Sequence, residues 1–275
     1  MEQVSFPPLS RVAVCGGTHG NEMSGVYVVR EMQRQKVEKV GSASVTTVIS
    51  NPRAVEVCRR YTDTDLNRCF TDDILSSPVT DASPYEVGRA QELNLQLGPK
   101  GSAEAVDLLC DLHNTTSNMG LCIISYSFSD WVCLHIYKHI QKKITSIPVR
   151  LILLDIPLSE AYSQESLGKH GIGSVFEGGK LEVFTFMSVV DYPRHPETNQ
   201  IMAGIHPQLQ DRDFCLLQKG DPIFLSFLGE TVHYEGEEPL YPFFVNERAY
   251  YEKNIAFRLA RKKMITIPCL QVNKD

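Results

Sequence analysis

A chain of 275 residues with 43% hydrophobic positions can bury one large core or two smaller ones, and its 22% charged content excludes a disordered polyelectrolyte. The 27 Lys and Arg against 33 Asp and Glu give a net charge of -6, which disfavours a general polyanion-binding role and so excludes nucleic acid as the expected partner. The eight cysteines form no CxxC pair, "MEQVSFPPLS" lacks a basic start followed by an apolar stretch, and no run reaches membrane-spanning length; the expectation is a cytoplasmic chain without an integral membrane span, with peripheral membrane association as the other location.

In chain order, the first half alternates β-rich runs with helical spacing. Strands are predicted over 11–15, 44–50, 105–112, 120–126 and 148–155, and helices over 21–36, 85–97 and 130–144. That alternation predicts an α/β fold, a mixed and mostly parallel sheet with flanking helices. The helix over 85–97 follows "SPYEV", read as a Ser cap with an early Pro and Glu. From about residue 180 the texture changes to short strand-like pieces such as "KLEVFTFMSVVDYP", "DPIFLSF" and "MITIPCL", the pattern of a small β-rich domain. The predicted division is therefore a catalytic domain over 1–178 and a β-rich domain over 179–275. The late "RLARKK" reads as a charged helix end.

The first predicted strand runs into "GGTHGNEMSG". A dinucleotide site would require G-x-G-x-x-G at this turn and an acidic residue ending the second strand, but the spacing differs and the second strand ends Ser50-Asn51-Pro52. A metal site fits better. His19 and Glu22 follow one strand, and His113 in "CDLHNTTSNMG" follows another, so all three belong at the same carboxyl edge of a parallel sheet. Singly, each is an ordinary polar residue at a strand end. Together, two imidazoles and a carboxylate with an open fourth position are the usual protein ligands of catalytic zinc, one ion per subunit. Such an ion acidifies water and polarises a carbonyl, which points to amide hydrolysis, with Asp111 or Asp65 orienting a ligand histidine.

Other clusters carry less. "CRRYTDTDLNRCF" places Arg59, Arg60 and Arg68 among Asp63, Asp65 and Asn67; it reads equally as a surface salt-bridge cluster or as forks for an anionic substrate. His135 and His139, four apart in "CLHIYKHIQKK", read as a solvated helix face. No G-x-S-x-G elbow marks a serine nucleophile.

"GGTHGNE", "NPRAVEVCRRYTDTDLNR", "PYEVGRAQELN", "DLHNTTSNMG", "IHPQLQDRDF" and "YPFFVNERAYYEK" together closely resemble the aspartoacylase family, over nearly the whole chain. The resemblance implies a zinc-carboxypeptidase-like catalytic domain followed by a β-rich domain, with His19, Glu22 and His113 as zinc ligands. It further implies that Arg60 polarises the scissile carbonyl, that Asn67 and Arg68 hold the α-carboxylate of an N-acylated amino acid, and that Tyr162 and Tyr250 border the substrate. A homo-oligomer is implied by the resemblance alone. In aspartoacylase itself an arginine shortly after the position of Tyr162 recognises the aspartate side chain, whereas this chain has Glu165 there, which would repel a second carboxylate. The expected substrates are therefore small neutral N-acyl amino acids, aromatic or S-conjugated cysteine derivatives, rather than N-acetylaspartate.

The resemblance breaks after Gly173. In the family the segment matching "KHGIG" leads into a strand bearing the catalytic glutamate, a "GPQPQG" turn and a long helix, but here "GIGSVFEGGKLEVF" passes at once to the second domain, some tens of residues shorter. Glu177 is the nearest carboxylate and substitutes for the missing base only if its linker folds back to the metal. Without a base, a catalytically impaired variant that binds metal and carboxylate ligands, or pairs with an intact subunit, becomes the competing expectation. The shortening also predicts exposed apolar surface and an unpaired sheet edge.

Overall fold

The structure, a computed structural model, describes residues 3–6, 8–99, 102–154 and 178–272. The described residues form two compact units, one of 3–114 with 269–272 and one of 115–154 with 178–268.

The first unit begins with β1 (Gln3–Phe6) and β2 (Arg11–Gly16), followed by α1 (Met23–Arg34), β3 (Lys39–Val40) and β4 (Ala43–Ile49). Helices α2 (Pro52–Glu56), α3 (Asp72–Ser76) and α4 (Tyr85–Gln96) and strand β5 (Leu108–Leu112) complete it. The sheet order is β3-β4-β2-β5, with β4 and β5 both parallel to β2. Ala13 and Cys15 alternate into the core, where Ala90, Leu93 and Leu97 of the α4 region meet Leu66, Phe70 and Val48. Three- and four-residue spacing puts those α4 positions on one face.

The glycines of the first turn serve packing. A Cβ on Gly16 would stand 2.3 Å from the Gly25 carbonyl oxygen, so strand and helix can approach only with glycine there. Gly17 adopts φ +71°, the left-handed region open to a residue without Cβ.

The second unit opens with β6 (Leu121–Ser125), α5 (Trp131–Lys143) and β7 (Val149–Leu153), then β8 (Gly179–Val190) and β9 (Ala203–Ile205). The strands β10 (Pro222–Ser226), β11 (Thr231–His233), β12 (Tyr241–Phe243) and β13 (Phe257–Ile267) follow. They form a three-stranded sheet β11-β10-β9 and a five-stranded sheet β12-β13-β8-β7-β6. One core gathers Tyr192, Phe224, Ala256 and Phe257; another gathers Leu134, Tyr137, Leu151 and Val183. The last strand, β14 (Cys269–Val272), pairs in parallel with β1 in the first unit.

The expected α/β class, with a β-rich C-terminal portion, is what the structure has, and each strand and helix predicted in the first half forms within a few residues of its expected limits. Several details differ. By compactness the division falls at 114/115 rather than at 178/179, because β7 runs parallel to β8 at Ile152↔Phe184 and Leu153↔Thr185 and so joins the later strands. "RLARKK" is not a helix end but the middle of β13. A register shift between Leu259 and Ala260 lets two successive residues face inward, while Arg261 and Lys262 reach solvent and pair with Glu238 and Glu182. Ser83 does not cap α4. The Asp63 carboxylate accepts the Tyr85 amide at 2.8 Å instead, so the cap comes from a distant loop. His135 is buried, its Nε2 lying 3.1 Å from the Pro268 carbonyl oxygen, while His139 alone of that pair is exposed. β5 is terminal in its sheet among the described residues, and all five of its residues are of intermediate burial.

Candidate metal centre

His19 and Glu22 occupy the turn between β2 and α1, and His113 is the residue after β5, so adjacent parallel strands deliver all three to one edge. Glu22 holds the N-cap position of α1 yet makes no side-chain cap, because its carboxylate turns to the imidazoles. His19 Nδ1 lies 2.7 Å from Glu22 Oε1 and His113 Nδ1 2.8 Å from Glu22 Oε2. The two rings stand 4.9 Å apart, centre to centre. One ligand atom from each residue lies within 4.8 Å of the others, a spacing that one ion with bonds of about 2 Å draws together by small side-chain adjustments.

The other nitrogen of each ring also faces a carboxylate. His19 Nε2 is 3.1 Å from Asp65 Oδ1, and His113 Nε2 is 2.7 Å from Asp111 Oδ2. Asp111 is held in turn by the Thr18 hydroxyl, which donates at 2.7 Å. Each imidazole therefore turns Nδ1 to Glu22 and Nε2 to a second acid; with an ion on Nδ1, the Nε2–H would donate to that acid, an arrangement that fixes the tautomer of a ligating histidine and raises its basicity. Sequence reading left Asp65 and Asp111 as alternatives; in the structure each serves a different histidine.

The field at this edge is negative. Burial pushes the Glu22 carboxyl upward, but hydrogen bonds from His113 and His19 outweigh it and hold the acid well below the usual carboxylate range. Asp65 behaves alike, burial being overcome by His19 and then by Arg60 and Arg68. Removal from water pulls His113 down, yet Asp111 and then Glu22 outweigh this and raise it well above 6.5. Three ionised carboxylates around two imidazoles, with the Arg60 guanidinium beside them, make a donor set that suits a divalent cation.

The loop 58–68 closes one side. Arg60 Nη1 is 3.4 Å from Glu22 Oε1 and Nη2 donates to Asp65 Oδ2 at 3.1 Å. Asn67 is buried, with Nδ2 3.5 Å from His113 Nε2 and an Oδ1 that accepts no hydrogen bond. Arg68 donates to the Asn67 carbonyl at 2.6 Å. Arg60, Asn67 and Arg68 thus gather around the imidazole–carboxylate cluster, so the loop is more than a surface salt-bridge cluster.

Tyr250 belongs to the second unit, in a 3₁₀ turn over Arg248–Lys253, its ring edge-on to Phe244 at 5.3 Å and under the Arg258 guanidinium at 5.0 Å. Tyr162, Glu165 and Glu177 lie outside the described residues. Sequence reading passed over Asn114, whose amide donates to Glu22 Oε2 at 2.9 Å, and Asn51 and Glu86, both buried beneath the loop. The early Glu of "SPYEV" was legible as a first-turn helix residue, but nothing local marked its partners.

The chain matches the family model of the succinylglutamate desuccinylase/aspartoacylase catalytic domain over residues 8–189 and that of the AstE/AspA barrel-sandwich hybrid domain over 179–262. It is 57% identical to N-acyl-aromatic-L-amino acid amidohydrolase (carboxylate-forming) B of Danio rerio, covering 100% of each chain. The Homo sapiens protein of the corresponding name is 41% identical, over 96% of this chain and 94% of its own length. The crystal structure of murine aminoacylase 3 superposes with a TM-score of 0.89 at 40% identity, covering 96% of this chain and 99% of that one. The Danio rerio alignment runs over 314 positions, 39 more than the 275 residues of this chain, an interruption of the size read after Gly173.

Proposed function

The chain belongs to the succinylglutamate desuccinylase/aspartoacylase family, and from that premise we propose that it is a zinc-dependent amidohydrolase. It deacylates N-acetyl aromatic amino acids and mercapturate-like N-acetyl-cysteine S-conjugates to a carboxylate and a free amino acid. The observation that carries this reading is the convergence of His19, Glu22 and His113 within 4.8 Å, each histidine backed by its own carboxylate. The identity with proteins named for N-acyl-aromatic amino acids supports the substrate class.

In this reading His19, Glu22 and His113 hold one zinc ion per subunit. Bound zinc supplies Lewis acidity toward water and the acyl carbonyl. Asp65 and Asp111 keep the histidines oriented. Arg60, freed from its carboxylate partners by a small rotation, offers two N–H groups to the carbonyl oxygen as negative charge develops there. Asn67 and Arg68 hold the α-carboxylate, and Tyr162 and Tyr250 border the side chain. Glu177 is proposed to move the proton in place of the family's glutamate. We further propose a functional division at 178/179, where the barrel-sandwich hybrid match begins, a cytoplasmic location and assembly as a homo-oligomer.

The 39 unmatched positions favour a second reading, a variant that binds metal and carboxylates but turns over poorly. Acetate release from N-acetyl-phenylalanine and from N-acetylaspartate, with metal content determined on the same sample, decides between them. The amidohydrolase reading expects one zinc and turnover of the aromatic substrate that Glu177→Ala lowers by ~10²–10⁴-fold, the usual worth of acid–base assistance. One zinc without turnover selects the impaired variant, and preference for N-acetylaspartate overturns the specificity.

A further inference from the structure

Glu86, in the first turn of α4, is fully buried, yet its carboxylate touches neither the ligand cluster nor the arginines of the loop beside it. Five neutral donors converge on it instead. Oε1 accepts from the Thr62 amide at 2.7 Å, the Thr62 hydroxyl at 2.8 Å and Asn51 Nδ2 at 3.1 Å, while Oε2 accepts from the Asp63 and Thr64 amides, each at 3.1 Å. A carboxylate taken wholly out of water persists only where its lone pairs are filled, so this set of donors holds the backbone of 62–64 as firmly as it holds the acid.

Residues 62–64 lie between Arg60 and Asp65, which reach Glu22 and His19. The clamp is reciprocal, because the Tyr85 amide next to Glu86 donates to Asp63 Oδ2. It is also tied to the other side of the centre. Asn51, which donates to Glu86, gives its own amide to the Gly17 carbonyl, and the Gly20 amide donates to the Arg60 carbonyl. A continuous path of hydrogen bonds thus runs from the His19 turn through Asn51 and Glu86 to the loop and back through Asp65 to the His19 ring.

We propose that Glu86 is a positioning residue of the metal centre: by fixing the 62–64 backbone it aims Asp65 at His19 Nε2 and Arg60 at Glu22 without touching metal or substrate. The proposal rests on the metal-centre reading above. Glutamine matches the shape of glutamate but turns an NH₂ toward donors, so Glu86→Gln should release the loop while leaving α4 in place.

The test compares wild type, Glu86→Gln and Leu151→Ala, the last a change at a fully buried core position in β7 of the second unit. Amide hydrogen exchange and imidazole NMR are recorded without zinc, and zinc affinity is measured by competition with a chromophoric chelator. In Glu86→Gln the Thr62, Asp63 and Thr64 amides should lose at least about tenfold protection and the His19 Nε2 proton signal should broaden. Zinc affinity should fall by about 10–100-fold, as for loss of an orienting partner. Leu151→Ala should lower the thermal midpoint by as much or more, with those signals and zinc affinity within about twofold of wild type. Should Glu86→Gln not fold, Glu86→Asp, which keeps the charge but is one methylene short, enters the same comparison. Protection of 62–64 and a His19 signal that match wild type, or zinc affinity that tracks the thermal midpoint in both variants, overturn the proposal. A wild-type protein that takes up no zinc defeats the metal reading instead, while the zinc-free exchange and imidazole signals still decide the clamp.

Discussion

The metal-centre edge of the first unit and the interior of the second bury polar groups in opposite ways. In the first, His19 faces Glu22 and Asp65 while His113 faces Glu22 and Asp111, so carboxylates meet imidazoles around a small space. In the second, the buried carboxylates meet backbone. Glu247 accepts the Thr116 amide at 2.8 Å and the Ser117 amide at 3.3 Å, and Asp213 accepts from the Val245 amide at 3.1 Å and the Asn118 amide at 3.2 Å. Around them the interior is aromatic, with Phe224 set 5.8 Å from Phe257 and Phe214 stacked on Phe243. An acid capped by amides is complete within the fold, whereas acids crowded against imidazoles are completed by a cation. Only the first arrangement reads as a site.

Mutations that separate these two kinds of burial test the contrast. The largest effect belongs to the ligands: His19→Ala or Glu22→Ala should remove bound zinc and abolish turnover, as should a strong chelator on wild type, and metal analysis with the acetate assay reads both. Bound metal persisting in both variants would break the contrast at its root. Next comes Phe257→Ala in the second unit, fully buried among aromatic neighbours. It should cost ~3–5 kcal/mol of stability in denaturant titration yet leave zinc stoichiometry unchanged wherever the chain remains folded.

Smaller effects sharpen the picture. Asp65→Asn and Asp111→Asn should each weaken zinc binding by about 10–100-fold, through loss of the acceptor that fixes one imidazole; equal affinity in both variants and wild type would reduce the paired carboxylates to bystanders. The smallest is a pH effect at Glu86. Burial pushes this acid up, but donors from Thr62, Asn51 and Thr64 outweigh it and hold it below the ordinary 4.5. Its ionisation therefore contributes stability that is fully present above pH 4.5 and is lost as pH falls through the lower folded value. Because Gln mimics the protonated acid, unfolding curves of wild type and Glu86→Gln should differ at neutral pH and converge in acid. A constant gap would show that Glu86 acts through shape alone.

Much of this was legible in the residues. Period-two and period-three-to-four apolar spacing reports burial of a local segment, so the strands around Ala13 and Leu109 and the helices around Val29 and Leu93 could be read directly. The placement of His19, Glu22 and His113 just after strands followed from the same reading, since parallel strands put their carboxyl ends together. "RLARKK" misled because charges on the solvent side of a bulged strand look, in sequence, like the end of a helix.

What the sequence by itself determined was therefore the order of elements, the family and the three groups able to share an ion. The tertiary structure alone decided which acid backs which histidine, that Glu86 grips the loop carrying Arg60 and Asp65, and that the strand over Val149–Leu153 joins β8. The physical reason is range. Periodicity records what each segment does with water over a few residues, whereas a hydrogen bond between Glu86 and Thr64 or His113 and Glu22 exists only after strand order and crossovers have brought distant segments to one edge.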